Sequence, residues 1–380
     1  MTFHPLAKFP GPKFVAISHI PCAIALVRGT HPYWVKGLHD RYKSNVVRIS
    51  PTELSFINAS AWNDIYGNRP GRRGFDKDLA VYGKPPNGVD SLLTANHTQH
   101  ARMRRVLDHA FSAKAFREQE PVVRAYVDKL INCLREHVDG PTRGKVDVVN
   151  WYNWMSFDII GDLSFGESFN CLEDQRYHPW VEMIFGNLKG IVFMSACNRF
   201  PIFRHLLPVL IPKRIKTMIA DHFAYTTEKI TSRAKAGTGR PDFMSPILEH
   251  NPMEKGVTPE ELCSNASLFI IAGSESVATN LSGATFHMLK NPEIFRRLKE
   301  EVRGSFGSDA EIDAQSVGKL TYLLAVLAEI RRIYPTALTG QAVIVPPDGE
   351  TICGQWIPGN VSVVPFQSFT CSSTTPPLLE

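Results

Sequence analysis

No run of about 18 apolar residues occurs in this 380-residue sequence, so nothing in it can span a bilayer as a helix. The nearest stretch, 14–27, is interrupted by His19 and Pro21, and no small-residue cleavage site follows it. Cysteine is sparse and scattered. Its seven copies form no C-x-x-C pair and make an odd total, which argues against a disulfide framework or a structural zinc site. Charge of one sign is nowhere concentrated into a block. The net +5 comes from dispersed Lys and Arg, and the one dense cluster, Arg102, Arg104 and Arg105, has no aromatic platform beside it, so no nucleic-acid partner is expected. Also missing are G-x-x-x-x-G-K-[ST], G-x-G-x-x-G after a strand, G-x-S-x-G and H-E-x-x-H, which leaves ATP, dinucleotide, acyl-hydrolase and zinc-protease chemistries without local support. No fixed-period repeat and no Ser/Gly-rich linker divides the chain.

What is present is 43% hydrophobic residues with both charge signs spread along the chain, enough for a large core. The expected fold is mainly α with small β-sheets, in one large domain. Pro5 to Pro12 carries three prolines and reads as a stiff extended segment. Trp34 to Tyr42 has helical spacing, and 46–50 and 53–57 form a short hairpin around Pro51. From about Gln99 to Phe286 apolar residues recur three and four apart, so helices dominate. Thr258 is the N-cap of a helix opening at Pro259-Glu260-Glu261, and Asn291-Pro292-Glu293 starts an amphipathic helix ending near Gly304. After Pro335, residues 341–345, 351–356 and 361–364 read as strands. The Ser/Thr/Pro-rich stretch 366–380 reads as a separate, disordered tail.

Three clusters could carry chemistry. Glu329 and Arg332 stand three apart on one helix face among Leu323, Val326, Leu327 and Ile330, so the pair should be partly buried. Taken alone, such an E-x-x-R is an ordinary helix ion pair worth ~0.2–0.5 kcal/mol. In the apolar run 268–276, Gly273 costs a helix ~1 kcal/mol relative to alanine, which suggests a close approach to its backbone, either by a ligand or by another helix. Next to it, Glu275 and Ser276 could relay protons through water into a dry pocket. His100 and Arg104 share a helix face where they could receive an anionic carboxylate, although a solvated basic face has the same pattern. Five N-x-[ST] sequons, at Asn58, Asn96, Asn265, Asn280 and Asn360, are explained by chance.

In this order the three clusters resemble the cytochrome P-450 family. His100-x-x-x-Arg104 is similar to its propionate-binding helix, 272–276 to its oxygen-activation helix and Glu329-x-x-Arg332 to its structural E-x-x-R. Phe9-Pro10-Gly11-Pro12 resembles the hinge that follows a membrane anchor, and Ala110-Phe111-Ser112 and 157–162 resemble stretches of fungal microsomal members. The resemblance implies a cytochrome P-450 fold over residues 14–365, preceded by a hinge at 1–13. It further implies that Gly273 leaves space for oxygen, that Glu275 and Ser276 manage proton delivery, that His100 and Arg104 hold heme propionates, and that Glu329 and Arg332 brace the proximal core. Heme b is the cofactor of an intact member, and its partners are an NADPH-cytochrome P-450 reductase and a small apolar substrate of the terpenoid or polyketide class. Substrate contacts would come from 81–94, 185–210, the helix near Phe269 and 336–340.

The sequence departs from the family pattern in one decisive respect. The family's iron ligand lies in F-x-x-G-x-[RH]-x-C-x-G, and none of Cys22, Cys133, Cys171, Cys197, Cys263, Cys353 or Cys371 has that surrounding. Cys353 sits in the strand-like 351–356 and Cys371 in the tail. A thiolate sets the iron's electronics, so its loss removes the chemistry. The expectation is therefore an incomplete member: it begins after the anchor, ends before the cysteine loop and final helix, need bind no heme, and is catalytically silent as written. An endoplasmic-reticulum location is implied for the intact type, and a cytoplasmic one for a chain without a spanning helix. The alternative is a non-enzymatic remnant or helical binding protein without heme.

Overall fold

The computed structural model describes residues 4–67, 74–82, 85, 87–138, 140, 144–203, 211–251 and 256–366. The chain forms two compact units, one drawing on Met1–His100, Met183–Ile219 and Ala337–Pro376, the other on Ala101–Glu182 and Ala220–Thr336.

The first unit is built on a five-stranded sheet in the order β1 (Val46–Ser50), β2 (Glu53–Phe56), β7 (Ser362–Pro365), β4 (Val343–Ile344), β3 (Asp76–Lys77). β1 and β2 form the hairpin expected around Pro51, and β2 then pairs in parallel with β7, matching Leu54 to Val363. Successive side chains of a strand point to opposite faces, and both faces of this sheet are covered. Leu54, Phe56 and Val363 pack with Leu6, Phe9, Ala61 and Ile65, whereas Val47, Ile49 and Val364 pack with Val35 and Leu38 of the His31–Tyr42 helix. Each fully buried apolar side chain here contributes about 1.5–3 kcal/mol.

Three local expectations are corrected. Residues 5–8 turn instead of running extended, with the Ala7 amide donating to the His4 carbonyl at 2.8 Å, and this brings Leu6 and Phe9 into the core. The single strand expected over 351–356 is a hairpin of β5 (Glu350–Ile352) and β6 (Gln355–Ile357), because Cys353 and Gly354 both take positive φ, 49° and 73°, and reverse the chain in two residues. Phe366, assigned to the tail, is buried beside Val364 and donates its amide to Phe56. Residues 367–380, including Cys371, lie outside the described residues.

The second unit is helical. Its core helix, Val148–Phe165, starts at Asp147, whose side chain accepts from the Val149 amide, and ends at Gly166 in the left-handed conformation. Along it packs the long helix Pro259–Lys290. The length of that helix follows from its ends: a capping box between Thr258 and Glu261, proline in the first turn, His287 and Lys290 in the last. The next helix, Pro292–Ser305, begins at once after Asn291. Together with Thr321–Ile333 these two helices enclose Ala284, Leu298, Val326 and Ile330.

Candidate functional site

All three motif clusters fall on helices, but the structure gives their members different roles. His100 and Arg104 stand one turn apart on the His97–Leu107 helix, with His100 half-buried and Arg104 exposed. Arg104 Nε lies 3.1 Å from Asp108 Oδ2, one turn further on. The residue of this cluster that the helix commits inward is Arg102. Its guanidinium donates to both oxygens of Glu261, at 2.9 and 2.5 Å, and to the Gly256 carbonyl. Burial works against the Glu261 charge, but Arg102 and the Thr258 amide together hold its carboxyl below the ordinary range. Glu261 was legible only as a cap, and nothing in the sequence linked it to Arg102.

On the long helix, Gly273 is explained by packing. A Cβ at this position would lie 2.7 Å from Ile160 Cδ1 of the core helix. Close approach of a neighbouring helix, one of the two readings the sequence left open, therefore accounts for a glycine at this position. Ala272 and Ser276, one turn apart, are exposed, and Glu275 is half-buried. Ser276 Oγ donates to the Ala272 carbonyl at 2.6 Å, and Ser274, fully buried, does the same to Ile270. Such back-bonds compete with the main-chain ladder and loosen a helix locally. Gly283 lets the Tyr334 ring lie against the helix backbone.

Glu329 and Arg332 form a bidentate pair at 2.7 and 2.5 Å on Thr321–Ile333. They are half-buried, as expected, and the Arg332 hydrogen bonds hold the Glu329 carboxyl below its ordinary value. The helix that carries them is capped by a residue not anticipated from the sequence. Glu301 accepts from the Tyr322 and Leu323 amides, each at 2.8 Å. Asp158, within the segment 157–162, does the same for the Cys171 and Leu172 amides from inside the core, where burial raises its carboxyl above the ordinary value.

Among the six described cysteines none lies in the F-x-x-G-x-[RH]-x-C-x-G surrounding of the family's iron ligand. Burial raises the thiol of each, Cys22 and Cys171 to about 12. Cys353, at the β5–β6 turn, has its sulfur 3.3 Å from Ser60 Oγ and its amide bonded to Asp64. Among the described residues no three His, Cys, Asp or Glu side chains converge to hold a metal ion, and no helix is long and apolar enough to cross a membrane.

Comparison with known proteins identifies the fold and the family. The cytochrome P-450 family profile matches residues 56–366. A cytochrome P-450 monooxygenase, astA, of Talaromyces wortmannii is 42% identical over 95% of the chain and 72% of its own length. The averantin hydroxylase of Dothistroma septosporum is 39% identical over 98% of the chain and 69% of its own length. In fold, the chain is similar to the crystallised heme domain of cytochrome P-450DA, with a TM-score of 0.72 over 92% of the chain and 76% of that domain at 18% identity.

Proposed function

The chain belongs to the cytochrome P-450 family, and from that premise we propose that its fold serves a fungal secondary-metabolism monooxygenase acting on a small apolar molecule of the terpenoid or polyketide class. The observation that supports the reading is the long helix itself, where Ser276 is exposed on a locally back-bonded turn and the half-buried Glu275 precedes it in the chain. Such residues can pass a proton to the hydroxyl from the carboxyl group through water, the carboxyl being reprotonated from solvent. His100 and Arg104 are the groups offered to propionates, with Arg104 exchanging Asp108 for a carboxylate of the cofactor. Glu329 and Arg332 serve as a brace. A relative that is an averantin hydroxylase supports hydroxylation as the reaction type.

Heme would supply the oxidising chemistry, with electrons from an NADPH-cytochrome P-450 reductase. None of the described cysteines has the sequence surrounding of the family's iron ligand. Expressed as these 380 residues the chain is catalytically silent in this reading, or serves as a helical binding protein. An endoplasmic-reticulum surface location is supported by the exposed apolar row Phe14, Ile17, Ile20, Ile24 and Val27.

The reduced, carbon monoxide-bound difference spectrum of the chain, expressed with heme supplied, tests this. The expected result is no Soret band at the thiolate position, and a band there would overturn the silent-chain reading. A chimera joining residues 1–365 to the cysteine-loop segment of the Talaromyces relative should then show the band and oxidise apolar polyketides or terpenoids in the presence of reductase. A chimera with the band but no such oxidation would sink the substrate class.

A further inference from the structure

Two exposed histidines from distant parts of the chain lie against each other in the second unit. His109 belongs to the 3-10 turn Asp108–Phe111, and His250 is the C-cap of the short helix Met244–Glu249. Their rings stack with centroids 3.9 Å apart and planes 13° from parallel. The backbones that carry them are held from the core side. Phe111 meets Phe243 at 4.9 Å, Met244 and Ile247 are buried, and Asp242 and Ser245 are bonded to the buried Arg233. Two imidazoles are thus brought together at the surface by elements whose positions the interior fixes.

One of the pair is already oriented as a metal ligand. His250 Nδ1 lies 2.9 Å from the Pro246 carbonyl, which can only accept, so in the neutral ring this nitrogen carries the proton and Nε2 keeps its lone pair. Donation of the second ring nitrogen to a backbone carbonyl is the arrangement that fixes the tautomer of metal-bound histidines and raises their basicity. His109 supplies the second imidazole. Face-to-face rings direct their lone pairs side by side, so one ring must turn about its side-chain bonds to share an ion, and the exposure of both residues leaves room for this. The residues that precede the two histidines are the exposed carboxylates Asp108 and Glu249, with Asp108 bonded to Arg104. A cation therefore meets no uncompensated positive charge from either neighbour in the chain.

We propose that His109 and His250 together bind one divalent transition ion of the zinc and copper class. Imidazole nitrogens suit these ions, whereas magnesium and calcium take oxygen ligands. The protein supplies two ligands and water the remainder, in keeping with the lack of any three-residue cluster among the described residues. The ion staples the turn after the His97–Leu107 helix to the end of the Met244–Glu249 helix, and an ion that binds only the folded chain stabilises it. The inference needs no heme and stands or falls separately from the oxygenase reading.

The test is a titration of the full 380-residue chain, carrying isotope-labelled histidine, with zinc, followed by NMR in a non-chelating reductant. The expected result is a saturable one-to-one shift of one nitrogen in each of the two rings, Nε2 in His250, with a higher melting temperature and no shift with magnesium. His109→Gln and His250→Gln should each weaken zinc binding about tenfold or more, because a site left with one imidazole loses the chelate. Both variants replace exposed side chains, so their melting temperatures without zinc should stay close to wild type and report that they are folded. No saturable shift, an equal response to magnesium, or unchanged affinity in either folded variant would overturn the proposal and leave a stacked pair without a ligand.

Discussion

Arg102 and Glu261 form a two-pronged ion pair between the His97–Leu107 helix and the first turn of the long helix, and the same carboxylate also accepts from the Thr258 amide at 3.0 Å. One acidic residue thus closes a helix cap and anchors a second helix. Removing the arginine would strand a carboxylate that is only 11% exposed and release the Gly256 carbonyl. Arg102→Met is expected to cost about 1–3 kcal/mol, below the full penalty for a completely buried pair because Arg102 retains some solvent contact. Urea unfolding measures this, with exposed Arg105→Ala as a control expected within about 0.5 kcal/mol of wild type.

The same pair sets a pH dependence. The Glu261 carboxyl is held lower in the folded chain than the roughly 4.3 of an unfolded glutamate. Its contribution is therefore complete above that unfolded value and is lost as pH falls through the lower folded one. Glu261→Gln should be less stable than wild type at neutral pH, and the two stability curves should converge in acid. Curves that stay parallel down to the acid limit would show that Glu261 does not contribute through its charge.

Gly273→Ala separates a packing role from a ligand role without any cofactor. Alanine should gain up to about 1 kcal/mol in helix propensity, but its methyl would meet Ile160 Cδ1, and overpacking costs about 1–3 kcal/mol. Net destabilisation is expected in chemical denaturation. Ile160→Val, which deletes the clashing Cδ1, should rescue part of it, so that the double variant is more stable than the sum of the singles. Strict additivity would argue against the helix contact as the reason for this glycine.

Glu301→Ala should cost about 1 kcal/mol by exposing the Tyr322 and Leu323 amides at the start of the helix that carries Glu329 and Arg332. The neighbouring Glu300, whose partner Arg296 is solvent-exposed, serves as the comparison. Glu300→Ala should change the denaturation midpoint much less, because exposed ion pairs contribute little.

Much of the fold was legible because its signals are local. The Thr258 cap with Pro259 and Glu261, the Asn291-Pro292 restart and the hairpin around Pro51 all appear where residue type and spacing place them. The β5–β6 hairpin was missed because its turn uses Cys353 before Gly354 instead of the usual Asn or Asp, so positive φ at the first position left little trace in the sequence. The candidate site was only half legible. Glu329 and Arg332, three apart on a helix, could hardly avoid meeting, whereas Arg104 was singled out beside Arg102, the residue that the fold turns inward.

The sequence by itself determined the helical class, the ends of the principal helices and the family, since each follows from periodicity, capping chemistry or motif order within short windows. Only the tertiary structure decided which polar groups are buried together. Arg102 meets Glu261 across 159 residues and Arg199 meets Glu53 across 146. It also decided that Gly273 faces Ile160. Contacts of this kind leave no periodic trace, because the partner is chosen by the packing of whole elements and not by the residues that flank it in the chain.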